Sequence, residues 1–238
     1  MKILVINGSP RDEQSNSLVL TRAFLEGAGW ADAEVVHVSK LNIKNCKGCF
    51  GCWRATPGEC VIKDDMSDVI PKLIEADVVI WSFPLYYYSV PGGLKTLIDR
   101  QLPMVLPDMV EGSETGDHPS RYDFSHQRHI VISTCGFWTH KGNYDAVIAM
   151  YKRLGVDDLI LVGQGELFPV LKLTEVPAEM PMEKAELEGL QQLLNGYLEV
   201  VRRAGKEYAA GAINSATKVE LEKPILSQEM YERGASES

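Results

Sequence analysis

Short apolar runs alternate with amphipathic stretches along most of the chain. Residues 3–6 form a β-branched run that breaks at Asn7-Gly8-Ser9-Pro10, the pattern of a buried parallel strand ending in a loop. Comparable runs at 33–38, 76–84, 128–134 and 158–163 predict four more strands. Between them, apolar Leu18, Leu20, Phe24 and Leu25 mark a helix over 17–29 with Ser15 or Asn16 as N-cap. Asp64 and Asp65 offer a cap for a helix reaching residue 75. Pro91 opens another over 91–100, and 143–154 and the long amphipathic stretch 183–203 complete the set.

Five strands alternating with helices predict an α/β fold, a parallel sheet covered on both faces by right-handed crossovers. Such sheets bind ligands outside the carboxyl ends of their strands. Residues 101–127 carry three prolines, two glycines and many polar side chains, which predicts a long loop or insertion. Residues 1–203 therefore read as one domain. Residues 204–238 read as a polar, proline-interrupted extension, of which 219–231 could lie across a partner subunit.

Composition narrows the function. Of 238 residues, 45% are hydrophobic and 24% charged, the balance of a globular protein. A net charge of -9 repels phosphate backbones and anionic membranes, and no Lys/Arg-rich run offsets it, so nucleic acid is an unexpected partner. No run approaches the roughly 20 apolar residues that span a bilayer, and no signal-peptide pattern follows the first strand. The expectation is a cytoplasmic protein.

Three segments follow predicted strands and would converge on one sheet edge: GSPRDEQSNS, PLYYYSVPGG and TCGFWTH. The first combines a turn at Gly8, polar Ser9, Ser15, Asn16 and Ser17, a helix N-terminus and the fixed charge of Arg11, which together suit an anion such as phosphate. It is neither GxxxxGK[ST] nor GxGxxG. In the second, Pro84, Leu85 and Tyr86, Tyr87 and Tyr88 stand where a flat ring would lie. Three consecutive tyrosines cannot all face inward. His126, His129 and His140 lie near the fourth strand without an assigned role.

GSPR with SNS, followed by PLYYYSVPGGLKTLIDR, resembles the NADPH-dependent FMN reductase branch of the flavodoxin-like superfamily over residues 1–165. The resemblance implies a doubly wound sheet of order 2-1-3-4-5 with FMN at its edge. It implies phosphate contacts from Ser9, Arg11, Ser15, Asn16 and Ser17, and ring contacts from Pro84, Leu85, Tyr86, Tyr87 and Tyr88. Thr134, Cys135, Gly136 and Phe137 would close over the ring. Activity would be hydride transfer from NADPH or NADH, through FMN, to a small acceptor: a quinone, nitro or azo compound, flavin or metal ion. No side chain would act as a covalent nucleophile, and homodimers or homotetramers are the family's common state.

Four of the five cysteines fall at Cys46, Cys49, Cys52 and Cys60. Clustered cysteines in a reducing compartment argue for a metal or redox role over structural disulfides. Spacing this tight lets one loop wrap a small cluster, and it resembles the compact motif of iron-sulfur flavoproteins, which carry a 4Fe-4S cluster near FMN. Four-cysteine zinc and free thiols or a regulatory disulfide are the other occupants the spacing allows. With a cluster, the alternative to a reductase is a non-catalytic carrier passing electrons between larger redox partners.

Overall fold

The computed structural model describes residues 1–178 and 182–236, without the side chains of 235 and 236. Five strands form one parallel sheet: β1 Ile3–Asn7, β2 Glu34–His37, β3 Val78–Pro84, β4 Arg128–Thr134 and β5 Asp158–Val162. Their order is β2-β1-β3-β4-β5, as the resemblance implied. Each central strand is apolar on both faces, so side chains alternate between two cores. Ile3, Val5, Val78, Ile80, Ile130 and Ile132 face one. Leu4, Ile6, Val79, Trp81, Phe83 and Val131 face the other.

The first core is closed by α1 (Asn16–Ala28) and α6 (Lys184–Ala209), the second by α3 (Met66–Glu75), α4 (Gly92–Asp99) and α5 (Asp145–Arg153). A short α2 (Gly51–Arg54) lies within the cysteine loop. Glycines bring α1 and α6 together: a Cβ at Gly27 would stand 1.8 Å from Arg202 O, and one at Gly205 2.0 Å from Phe24 O. With no Cβ, the backbones meet, and Phe24 and Leu194 are sealed between sheet and helices at 0% exposure. Burying each contributes roughly 1.5–3 kcal/mol.

Two expectations are corrected at the C-terminal end. The last long helix continues to Ala209 instead of stopping at residue 203, because Gly205 packs against α1 and does not break the turn. The segment beyond is not an extended tail. It forms α7 (Ser215–Leu221) and α8 (Gln228–Ser236), and the link between them returns to its own sheet. Trp138 Nε1 and Gln164 Nε2 both donate to Leu226 O, at 3.2 and 2.9 Å, and Leu226 N donates to Gln164 Oε1 at 2.8 Å.

The inserted loop is ordered by backbone hydrogen bonds. Val105 and Ser120 pair as an antiparallel bridge, Leu106 N donates to Pro119 O, and Val110 N donates to Asp117 O. Arg153 pairs with Asp117 from the side.

Candidate functional site

Loops after β1, β3 and β4 meet at one sheet edge. The β1 loop turns at Gly8, whose N–H donates to Ser82 O at 2.8 Å and whose missing Cβ leaves room for Leu94, otherwise 2.7 Å away. Asn7 Oδ1 then accepts from Ser9 N, and Ser9 Oγ from Arg11 N. Ser15 is the N-cap of α1, accepting from Leu18 N at 3.3 Å. The first N–H groups of such a helix have no acceptor within it and are available to an anion.

The other polar side chains of this loop are already engaged. Asn16 Nδ2 donates to Gly165 O at 2.6 Å, and Ser17 Oγ and Thr134 Oγ1 lie 2.8 Å apart, buried. Ser17 with Thr134 thus locks α1 to the end of β4 and Asn16 locks it to the loop after β5, and an anion in the loop would meet backbone N–H groups. Arg11 differs: it is exposed and makes no ion pair among the described residues. Its guanidinium is the free cation of the cradle.

Two neighbouring histidine contacts were not legible in the motif. His37 Nε2 lies 2.8 Å from Glu13 Oε1, and His37 Nδ1 3.0 Å from Asn7 Nδ2. They tie the β1 loop to the end of β2.

After β3, Leu85 N donates to Thr134 O, extending the β3–β4 pairing by one step. Tyr86 and Ser89 then exchange hydrogen bonds of 2.9 and 3.0 Å around a two-residue turn. Tyr87 and Tyr88, the turn residues, have φ of 48° and 63°. Glycine and asparagine suit these positions; here two bulky aromatics are held in them. Tyr87 is 98% exposed, and Tyr86 and Tyr88 about half. Strain of this kind persists where surrounding structure enforces it, characteristically at binding sites.

From β4, Phe137 reaches Tyr88: their ring centroids are 5.7 Å apart and their planes 16° from parallel. Cys135 points elsewhere, buried in the second core, where burial pushes its thiol up. Its backbone, not its sulfur, borders the edge. Gly136 O accepts a 2.7 Å hydrogen bond from Tyr231 Oη of α8, which also contacts Glu166. Glu166, Gln164 and Tyr231 therefore support this loop, and nothing in the loop sequence pointed to them.

The cysteine loop forms a second feature, between the end of β2 and the end of α4. Phe50 at φ 55° follows Gly48 at φ 60°, coiling the chain into α2. Gly51 is pressed against Val61, where a Cβ would lie 2.7 Å from Cγ1. Trp53 Nε1 donates to Val105 O at 3.0 Å, and its ring packs against Phe50 and His118, so the insertion braces the loop.

Cys46, Cys49, Cys52 and Cys60 all line one apolar cleft. Cys52 is buried, which pushes its thiol up, and the neighbouring Cys60, Cys46 and Cys49 add to this. Among the described residues no three His, Cys, Asp or Glu side chains are arranged to grip a single metal ion. Arg100 ends α4 as its C-cap, and its side chain crosses to this loop and pairs with Asp64, while Asp99 pairs locally with Lys95.

Among the described residues no helix is long and apolar enough to cross a membrane. Residues 1–110 match the family described as NADPH-dependent FMN reductase. Two proteins of Archaeoglobus fulgidus named iron-sulfur flavoprotein are 40% identical over 102 residues and 42% identical over 105 residues. These matches cover 42% and 43% of this chain and 48% and 46% of the relatives, so the chain spans about half the length of the relatives it matches. An FMN-dependent NADH-azoreductase from Bacillus anthracis, solved with FMN, superposes with a TM-score of 0.55 over 90% of this chain and 99% of that one, at 18% identity. At that identity the likeness is one of fold. Thus the chain carries the NADPH-dependent FMN reductase signature over residues 1–110, on a flavodoxin-like fold, as GSPR and PLYYYSVPGG implied.

Proposed function

We propose that the protein is an FMN-dependent NAD(P)H oxidoreductase acting on a small acceptor at the edge formed by Tyr86, Tyr87, Tyr88 and Phe137. The observation that carries this is the exposed pair of Phe137 stacked on Tyr88 of the strained turn, at the sheet edge whose β1 loop carries the exposed cation of Arg11. These residues fit FMN: a flat aromatic platform for the ring, and N–H groups with a cation for the phosphate.

In this reading Ser9, Arg11 and the backbone at Ser15, Asn16 and Ser17 hold the phosphate. Pro84, Leu85 and the tyrosines flank the ring, and the backbone of Thr134, Cys135 and Gly136 with Phe137 closes over it. When bound, FMN supplies the chemistry, accepting hydride from a nicotinamide and passing it to the second substrate. The chain orients both and limits access of water. The FMN-binding unit runs to the end of α6 at Ala209, with the C-terminal segment as its extension and a homodimer or homotetramer as the assembly, in the cytoplasm.

A second reading concerns Cys46, Cys49, Cys52 and Cys60. Four cysteines lining one apolar cleft fit a 4Fe-4S cluster, whose corners are spread over a cube and whose sulfurs sit well in a low-dielectric pocket. The likeness to iron-sulfur flavoproteins supports it. The protein then carries two redox centres and passes electrons to a further partner.

Mixing the FMN-loaded protein with NADPH or NADH under argon tests the first reading. Rapid loss of the flavin band, restored by a quinone, is expected. A flavin that neither nucleotide bleaches within minutes refutes the reductase and leaves the carrier.

A further inference from the structure

The side chains of Arg100 and Asp64 are each 1% exposed. A guanidinium so far from water needs an acceptor for each N–H. Arg100 Nη1 donates to Lys44 O at 2.6 Å and Asp64 Oδ2 at 2.7 Å; Nη2 donates to Asp64 Oδ1 at 2.9 Å and Ile62 O at 3.4 Å. Its Nε is buried and has no acceptor. Yet Arg100 borders the same cleft as the four cysteines. Its Nη2 reaches Ile62 O, two residues from Cys60, so the guanidinium lies against the Cys60 end of that cleft.

Resting on the reading that these cysteines hold a 4Fe-4S cluster, we infer that Arg100 is a positioning residue whose buried Nε–H donates to the sulfur of Cys60 when that sulfur is a cluster ligand. Asp64 holds the guanidinium plane in place and balances its charge. The sequence builds this from two distant points: Asp64 precedes α3, Arg100 follows α4, and the bidentate pair fixes the cysteine loop between them. Hydrogen bonds to ligand sulfurs stabilise the more negative, reduced state and raise the reduction potential. A net positive charge beside the cluster acts the same way.

The two members of the pair therefore predict shifts of opposite sign. Arg100→Lys keeps the charge and removes the planar donor, so the cluster becomes harder to reduce, by about tenfold in the one-electron equilibrium, equal to about 59 mV. Asp64→Asn keeps the donor and uncovers its charge, so the cluster becomes easier to reduce by a comparable factor. The test is an anaerobic redox titration of the FMN-loaded protein followed by electron paramagnetic resonance, with iron and FMN counted per chain.

Opposite shifts at unchanged FMN content support the inference. If Arg100→Lys does not fold, an upward shift in Asp64→Asn still supports it, and no shift there overturns it. Equal shifts in one direction, or none, with about four irons retained, overturn the role of Arg100 and leave the cluster standing. A wild-type chain without iron overturns the cluster reading and this inference with it.

Discussion

Tyr88 and Phe137 stack nearly parallel, their centroids 5.7 Å apart, and thereby join the loops after β3 and β4 at the carboxyl edge of the sheet. A stacked aromatic pair contributes about 0.5–1.5 kcal/mol beyond the area it buries. Phe137→Ala is therefore expected to weaken FMN binding roughly two- to tenfold. Quenching of FMN fluorescence during titration of the apoprotein measures it.

Tyr87 occupies a left-handed conformation at φ 48° while its side chain is 98% exposed. The conformation costs about 1–2 kcal/mol for a residue with a Cβ, and so little packing offsets it. Tyr87→Gly is expected to stabilise the apoprotein by about 1 kcal/mol, a rise of roughly 2–4 °C in Tm, while FMN is held less tightly. Thermal melts with and without FMN read both effects. Destabilisation of the apoprotein would show that the turn is not strained.

Arg11 is exposed and makes no ion pair among the described residues, whereas Ser17 is bonded to Thr134 inside the fold. Removing Arg11 should cost binding without harming the sheet. A hydrogen bond to a charged group contributes about 1.5–3 kcal/mol, so Arg11→Ala is expected to weaken FMN roughly ten- to hundredfold and leave riboflavin, which lacks the phosphate, unchanged. Ser17→Ala acts differently: it removes a buried structural bond and lowers Tm as well. Equal losses for FMN and riboflavin in Arg11→Ala would place the phosphate elsewhere.

His129 is half-buried against Trp81, whose Nε1 donates to His129 Nδ1 at 3.2 Å, and its Nε2 lies 2.8 Å from Gln127 Oε1. Nδ1 must accept, so the ring is neutral with the proton on Nε2. Burial accordingly lowers its pKa from the usual 6.5, outweighing Asp157. Below pH 6.5 the unfolded chain gains a proton that the folded chain refuses, so stability falls as pH drops through that value and recovers as pH rises. Urea denaturation at pH 7.5 and 5.5 should show this decline. It should be shallower in His129→Asn, with His140, which shifts the same way through burial, supplying part of what remains.

The strands were legible because each is a short β-branched run. β4 matches its expected bounds, and the others differ by one or two residues at an end. The edge loops were legible because polar and aromatic clusters directly follow those runs. The end of α6 was not legible at residue 203: a glycine at 205 is a common helix stop, and here it lets α1 approach closely. The Asp64–Arg100 pair was hidden because its partners are 36 residues apart and each has a local reading, as helix cap and helix end. Gln164 and Glu166 were missed because only the β4–β5 pairing brings them against the Gly136 loop, and Tyr231 because only the return of the C-terminal segment does.

Counting FMN and iron together in protein purified without oxygen, alongside its visible spectrum, tests the account most directly. One FMN and about four irons per chain are predicted, with flavin bands above a broad shoulder. A chain that takes up no FMN even from excess would contradict the assignment of the Tyr88–Phe137 edge and the proposed function built on it.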